Sequence, residues 1–534
     1  MLLMLESLRI FFNLSMNRTP GSMNQKRNWI MGKIRLTKKE KGKYLSQDPK
    51  ITDVINSLVT HYKLPKSKAL YKQIDTVVAI ARKFNEEVVK PVYKQIDLNV
   101  TQDNEYLCWD VIKKANEWGF NTLFIPKMFG GQGMNLIAMY PFVEEIASVC
   151  VGLANVVCVH YLGFATLCAS WNLKLMNEIS REVKRGEKTG NPCLISLAIT
   201  EPGAGTDVEE TLLVDRGKIE TIAQKVEGGY LVNGSKIFIS NGHVSTWHIL
   251  ICYTDKNKPS ETTVMLAVKN GLKGFRFGHC EKKMGQKACV ASELIFEDCF
   301  VPDKYRCFDS NLLPDNASKS REEIVQNCID YVVSSTRAGV AAFAVGAARG
   351  AYETALAYSR KKTVKGTLLI NHQWAQSMLA EMYKNINMGR AAYMESAYAN
   401  AMHGLVKILY VKPIYYADRF LPSWYWTMIS PIFNLKIATW LFRLLNFYRY
   451  PQESAEIQSG WASLTKFGCT DLGIINSQMA SQLMGIDGCR HDIGTEKYLR
   501  DAKLLQIYEG TNQLNRINLF KNLVGRNMPE VKVF

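Results

Sequence analysis

Two stretches of the chain carry residue types with chemical reach. Near the C-terminus Glu509 lies in the run Arg500-Asp501-Ala502-Lys503-Leu504-Leu505-Gln506-Ile507-Tyr508-Glu509-Gly510-Thr511-Asn512-Gln513, and far upstream stands Ile199-Thr200-Glu201-Pro202-Gly203-Ala204-Gly205-Thr206-Asp207. A carboxylate works as a base near neutral pH only where its surroundings lift its pKa. Taken alone, a glutamate before a glycine reads as a helix-end surface residue. The upstream segment follows an apolar, strand-like run, and its glycines permit a backbone that wraps a flat or phosphorylated ligand. It is not the G-x-G-x-x-G that opens a βαβ unit, because hairpin patterns follow it, so no nicotinamide-binding fold is indicated.

Three kinds of element must position these residues. From Ile51 to Gly119 apolar residues recur at helical spacing: Val77, Val78, Ala81 and Phe84, then Val111, Ile112, Ala115 and Trp118 before a stop at Gly119. A glycine-rich turn at Phe129-Gly130-Gly131-Gln132-Gly133 separates these from more helix between Ala138 and Ile179. From Cys193 short β-type runs take over: Tyr230 to Val232, Ile237 to Ser240, Ile249 to Tyr253, Thr263 to Val268, Phe275 to Gly278 and Ala291 to Phe296. Asn233-Gly234, Asn241-Gly242 and Asn270-Gly271 punctuate them as turns. Helix returns from Tyr331, and the small-residue run Thr336 to Gly350 predicts a helix at the centre of a bundle. The expected fold is α+β: a basic N-terminal arm (1–50), a helical domain (51–192), a central β-barrel-like domain (193–305) and a C-terminal four-helix bundle (306–534).

A chain of 534 residues is long enough for several packed units. Its net charge of +17 favours anionic partners, whether membrane headgroups, nucleic acid or a phosphate-rich cofactor and substrate. Ten basic residues fall between Arg18 and Lys50, a run that reads as a solvated tail or a membrane-facing arm. The apolar start, Met1 to Leu14, is interrupted by Glu6 and Arg9 and does not read as a cleaved secretory signal. The 13 cysteines show no C-x-x-C pair or zinc-like spacing, so they read as reduced, mainly buried thiols of an intracellular protein, and no metal site is expected.

One segment of the bundle, 401–451, differs from the rest. Phe420, Trp424, Trp426, Trp440, Phe442, Phe447 and Tyr448 alternate there with Lys412, Arg419, Lys436, Arg443 and Arg449, and Asp418 is its only acid. Pro431 and Lys436 break any window long enough to span a bilayer. Two readings stand: an extra helical hairpin packed on the subunit or its partner, or a helix lying in the lipid headgroup layer.

Read together, the segments resemble the acyl-CoA dehydrogenase family from about Ile51 to Arg516, outside 401–451. Five blocks match in the family's order: Ile125-Pro126 through Gly133; Ile199 through Asp207; Gly234 through Gly242; Met284-Gly285-Gln286 with Phe296-Glu297-Asp298 and Val301-Pro302; and the block around Glu509. The resemblance implies FAD as cofactor and Glu509 as the base of the short- and medium-chain-like branches, removing the proton α to a thioester while a β hydride leaves for the flavin. It implies that Ile199, Thr200, Gly205 and Thr206 line the flavin and thioester site, with Phe238 and Ser240 beside the ring where relatives have tryptophan and threonine. Lys362, Lys365, His372, Gln373, Gln482 and Gly485 match positions that contact the flavin's pyrophosphate and adenine across a subunit interface. Lys362 and Lys365 stand where the family has arginine and phenylalanine, which replaces a planar fork by point charges. Ile486 and Cys489 also depart from the pattern, in place of a glycine and an aromatic residue. Arg337 and Gly510, with Thr206, are implied near the substrate, Thr511 and Gln513 in the turn that closes over the cofactor. Arg500-Asp501 reads as a structural ion pair or cap.

The resulting expectation is an enzyme that oxidises an acyl-CoA to the trans-2-enoyl-CoA in fatty acid β-oxidation and passes electrons to an electron-transfer flavoprotein. It would act as a homodimer or homotetramer, without nucleic acid as a partner, in the cytoplasm or mitochondrial matrix, with 401–451 touching the inner face of a membrane. Two alternatives remain open: a flavin monooxygenase or oxidase on the same scaffold, which Glu509 disfavours, and a catalytically silent, membrane-associated scaffold or assembly protein.

Overall fold

The computed structural model describes residues 36–45, 67–314, 318–404, 407–526, 528, 530 and 532–533. Most of the basic arm, and 51–66 of the expected first helical domain, lie outside these residues. The described part of the arm is not a solvated tail. Helix α1 (Lys38–Leu45) is closed by a reciprocal cap in which Glu40 N–H donates to Thr37 Oγ1 and Thr37 N–H to Glu40. Lys83 pairs with Glu40 at 2.8 Å and Arg82 donates to the Tyr44 carbonyl, so α1 is docked onto the next helix.

That helix, α2 (Ser67–Phe84), buries Val77, Val78, Ala81 and Phe84 as their spacing predicts. Helices α3 (Lys90–Gln102), α4 (Trp109–Glu117), α5 (Met139–Ala147), α6 (Val151–Cys158), α7 (His160–Ala169) and α8 (Leu173–Thr189) complete the N-terminal domain.

The central sheet runs β6–β7–β3–β2–β4–β5–β8, with β1 added in parallel on β4. Its strands are β1 (Ile195–Ala198), β2 (Ile222–Val226), β3 (Gly229–Ser240), β4 (Trp247–Tyr253), β5 (Thr263–Lys269), β6 (Phe275–Cys280), β7 (Ala291–Pro302) and β8 (Arg306–Asp309). β8 carries the sheet four residues past the expected boundary at 305. Asn233-Gly234 is not a turn. It sits inside the continuous strand β3, at a register break against β7. Gly234 has φ +132°, and a Cβ there would meet the Thr221 backbone at 2.6 Å, so local approach of a neighbouring segment, not chain reversal, requires this glycine. The short helix α9 (Thr211–Val214) lies between β1 and β2.

The bundle consists of α10 (Arg321–Ser359), α11 (Gln373–His403), α16 (Gln452–Met484) and α17 (Thr495–Leu505), with α18 (Asn512–Leu519) following. The small residues of α10 let α5 approach: a Cβ at Gly346 would meet the Glu144 carbonyl at 2.7 Å, and one at Gly350 the Ser148 carbonyl at 2.0 Å. Val151–Ala169 and Arg321–Ser359 are long and apolar enough to cross a bilayer, but 78% and 72% of their apolar windows are buried inside the protein.

Between α11 and α16 the inserted segment folds into α12 (Lys407–Tyr410), α13 (Lys412–Phe420), α14 (Ser423–Ile429) and α15 (Lys436–Arg443), bent by 85° between Ser423–Asn434 and Lys436–Tyr448. One side packs on the subunit. Phe433 meets Phe129, Phe442 meets Trp171, Lys127 donates to the Arg419 carbonyl, and Arg443 donates to the carbonyls of Ser170 and Cys307. Asp418, buried beside Lys127, has its carboxyl pushed up to about 6 by burial. The other side leaves Trp424, Met428, Ile437 and Trp440 exposed.

Candidate active site

Glu509 follows α17 in a left-handed conformation (φ +54°), and Gly510 continues it at +72°. Non-glycine residues hold such a conformation only where surrounding contacts impose it. Here Arg337 Nε donates to the Glu509 carbonyl at 3.3 Å, and Lys466 Nζ and Asn515 Nδ2 donate to the Gly510 carbonyl at 2.7 and 2.9 Å. The carboxylate is thereby turned inward, and its Oε2 accepts from Thr336 Oγ1 at 2.6 Å. A second carboxylate, Glu209, pairs with Arg337 Nη2 at 2.9 Å.

Burial pushes the Glu509 carboxyl up to about 7, and the negative charge of Glu209 adds to the rise against the Thr336 hydrogen bond, Arg337 and Lys466. Burial likewise pushes Lys466 down to about 7. Lys466, which in its charged form would help to hold Glu509 ionised, is thus itself weakened by desolvation.

Glu509 opens into a cavity of about 220 Å³ lined also by Ile199, Thr200, Glu209, Phe238 and Ser240. Phe238 is presented there by a bulge: β3 and β7 are in register at Lys236–Leu294 and again, one residue displaced, at Ile239–Ser292. Phe238 takes φ +57° and stays half exposed. The bulge is tied to the glycine loop, because Ile237 N–H donates to the Thr200 carbonyl and Lys236 Nζ donates to the Ile199 carbonyl and pairs with Glu201 at 2.7 Å. Glu201 and Lys236 are both fully buried, and Glu201 also accepts the N–H groups of Glu220 and Thr221. The acid of the Glu201-Pro202-Gly203 loop is therefore a structural anchor that aims its neighbours at the cavity.

Several residues fall elsewhere than the resemblance implies. Gly205 and Thr206 do not line the cavity; Thr206 begins the turn Thr206–Glu209, whose end carries Val208 and Glu209 to the wall. Arg337 is fully buried, does not line the cavity, and is engaged by Glu209, Ser463 and the Glu509 carbonyl, so it holds the Glu509 loop. Gly510 does not line the cavity either, and a Cβ there would meet Glu209 Oε2 at 2.7 Å. Thr511 caps α18 by accepting from Leu514 N–H, and Gln513 is exposed; neither reaches the cavity. Arg500 and Asp501 do not pair with each other: Arg500 pairs with Asp97 and Glu496, while Asp501 pairs with Lys497 and accepts the Gln286 N–H.

Lys362, Lys365, His372, Gln373, Gln482 and Gly485 gather at one end of the bundle, around a separate core that includes Ala351, Leu369, Met382 and Leu483. Lys362 lies 3.5 Å from Asp487, which also accepts from Tyr358, and His372 meets the Val364 carbonyl. None of the six lines the Glu509 cavity of the same chain. Cys489 is the exposed exception among the cysteines.

Sequence reasoning did not select Glu209, Thr336 or Lys466. Thr336 reaches Glu509 across 173 residues of chain and Glu209 reaches Arg337 across 128, distances at which no local spacing signals contact.

An exposed aromatic face beside the hydroxyls of Thr200 and Ser240, sharing a cavity with an inward-turned carboxylate, suits a flat heteroaromatic cofactor. Helical, β and helical-bundle domains in this order, with that site at their junction, define a flavoprotein dehydrogenase class. The family models for the acyl-CoA dehydrogenase N-terminal, middle and C-terminal domains match residues 73–171, 196–299, and 327–408 with 433–524. The chain belongs to the acyl-CoA dehydrogenase family and is an FAD-dependent enzyme. It is 27% identical over 457 residues to the short-chain specific acyl-CoA dehydrogenase of Clostridium acetobutylicum, covering 84% of this chain and 97% of that one. It is 26% identical to a probable medium-chain specific mitochondrial enzyme of Caenorhabditis briggsae, covering 84% and 90%. Among solved structures, butyryl-CoA dehydrogenase from Megasphaera elsdenii superposes with a TM-score of 0.63 at 23% identity, over 85% of this chain and 98% of that one. A chain in a structure of the electron transferring flavoprotein of Acidaminococcus fermentans gives 0.64 at 25%, over 87% and 99%.

Proposed function

We propose that the chain oxidises a saturated acyl-CoA to the trans-2-enoyl-CoA, with Glu509 as the base. The observation that carries this reading is an inward-turned carboxylate, pushed up to about 7 by desolvation, that shares one cavity with an aromatic face. The Cα–H bond breaks as Glu509 takes the proton, the Cβ–H bond breaks as hydride departs, and the C–C double bond forms between the two carbons. Bound FAD supplies the acceptor for that hydride. Thr336 fixes the Glu509 carboxylate by one hydrogen bond, and the buried surroundings keep it basic without a histidine.

Ile199, Thr200, Phe238 and Ser240 are the residues we assign to the flavin ring. The bundle-end group from Lys362 to Gly485 supports a cofactor shared between subunits, because these residues lie apart from Glu509 in one chain. Trp374, Met388, Ile475 and Ile486 on the bundle are exposed, and such apolar side chains support a second copy as partner. The family and the flavoprotein neighbour support an electron-transfer flavoprotein as the electron acceptor. The exposed aromatic side of 401–451, basic overall, supports peripheral contact with anionic lipid.

Anaerobic addition of acyl-CoA to the purified protein tests the reaction: flavin bleaching is expected, and none with any thioester defeats it. A colourless protein from flavin-replete cells would favour a silent scaffold instead. Liposome flotation with and without residues 404–450 tests the membrane contact, and equal flotation rules it out.

A further inference from the structure

A second cavity, of about 100 Å³, lies against the first. Met139, Tyr161 and Ser335 line both, so the cavity that holds Glu509 and the second chamber share a wall. The floor of the second chamber comes from the N-terminal domain, with Phe124, Phe164, Ala165 and Trp171. Its roof comes from the inserted segment, with Ile408, Leu409, Ile414, Phe433 and Phe442. The family's C-terminal model has no counterpart for 409–432, which includes Leu409 and Ile414. The roof is firmly attached, through Phe433 on Phe129, Phe442 on Trp171, and Arg443 on the carbonyls of Ser170 and Cys307.

The chemistry of this chamber is almost wholly apolar. The Tyr161 hydroxyl is turned away to the Phe120 carbonyl and the Phe124 N–H, and the Cys168 thiol is held neutral because burial raises its pKa. Among the described residues no charged side chain lines it. Such a space accepts hydrocarbon and rejects anything that brings polar groups. Of the three shared residues, Met139 is an unbranched, adaptable thioether, able to change rotamer without breaking a hydrogen bond.

We propose that the inserted segment builds a tail chamber, and that the distal part of a long, unbranched acyl group passes Met139 to fill it while the thioester end stays at Glu509. The substrate class is then a long-chain acyl-CoA. This inference rests on the acyl-CoA reading of the Glu509 cavity and adds the chain length to it. The insertion is in this view a determinant of specificity as well as a surface element.

The test uses the full-length flavin-loaded protein and straight-chain thioesters from butyryl-CoA to stearoyl-CoA, read by anaerobic flavin reduction and, independently of turnover, by calorimetric binding. Wild type is expected to bind palmitoyl-CoA more tightly than butyryl-CoA, because added methylenes find apolar walls. Ala165→Phe and Leu409→Phe, which fill the chamber from opposite sides, should each lower kcat/KM for palmitoyl-CoA by about tenfold or more and change it for butyryl-CoA by less than about twofold. Two variants on separate elements guard against one failing to fold, and the wild-type binding series decides if both do. Palmitoyl-CoA turnover unchanged in a folded variant overturns the chamber, as does a wild type that takes butyryl-CoA but not palmitoyl-CoA; both results leave the dehydrogenase reading standing. Bleaching by no thioester overturns both.

Discussion

The molecule surrounds two pairs of carboxylates differently: Glu144 and Glu145 are fully buried, Glu209 and Glu509 only partly. Glu144 and Glu145 on α5 face three arginines: Arg390 and Arg349 reach Glu144, Arg82 and Arg349 reach Glu145, and Tyr393 adds a hydroxyl, with Glu353 pairing with Arg349 from the rim. Burial pushes the Glu145 carboxyl upward, yet Arg349 and Arg82 outweigh it and hold the group at about 2. Glu144 is held low in the same way. Glu209 and Glu509 have one arginine, Arg337, and a lysine weakened by its own burial, and Glu509 rises to about 7. Desolvation raises both Glu145 and Glu509, and the supply of rigid, permanently charged guanidinium groups decides which of them is brought back down.

Four changes would break or sharpen that contrast. The largest effect is expected from Glu509→Gln, which should lower the rate of flavin reduction by at least about a hundredfold while the yellow cofactor remains bound; a variant reducing at the wild-type rate removes the assigned base. Next, Arg390→Ala should lower unfolding free energy by about 3–5 kcal/mol, because it leaves Glu144 buried and short of charge. A urea titration showing a loss under 1 kcal/mol would mean the Glu144 site is not a charge-balanced joint.

The third concerns pH and has opposite signs at the two sites. Glu145, with a folded value of about 2, contributes stability that is present above its ordinary value of 4.5 and lost as pH falls toward 2. Glu509, raised to about 7, contributes stability present below its ordinary 4.5 and lost as pH rises through 7. Glu509→Gln should therefore stabilise the fold by about 1–2 kcal/mol at pH 8 and little at pH 4; thermal melts at the two pH values compare them. Activity needs the ionised base, so reduction rates should climb with pH through about 7.

The smallest effects belong to the partners of Glu509. Glu209→Gln removes a negative neighbour and should move the rising limb to lower pH, raising the relative rate at pH 6 by about threefold to tenfold. Thr336→Val removes a hydrogen bond that favours the carboxylate and should move the limb the other way, for an effect of about 1 kcal/mol or less. A limb that stays in place in both variants would mean that burial alone sets the pKa of Glu509.

The inserted segment shows where sequence patterning stops being decisive. Its alternation of aromatic and basic residues left a packed hairpin and a membrane surface both open, and the fold packs one face and leaves the other exposed: Trp426 and Phe447 are buried, while Trp424 and Trp440 are exposed. The Asn233-Gly234 pair shows the same ambiguity at smaller scale, since a dipeptide suited to a turn also suits a bulge, and only the neighbouring segment at Thr221 selects between them.

Residue order alone determined the succession of helical, β and helical domains, since periodicity and turn chemistry are local, and its motifs singled out Glu509, Thr200, Phe238 and Ser240, which line one cavity in the structure. Tertiary structure decided which charges meet: that Arg337 serves the base loop, that Glu209 stands beside Glu509, and that the insertion closes a chamber against the first domain. Electrostatic shifts and cavity walls arise from groups distant in sequence and adjacent in space, and no spacing along the chain encodes them.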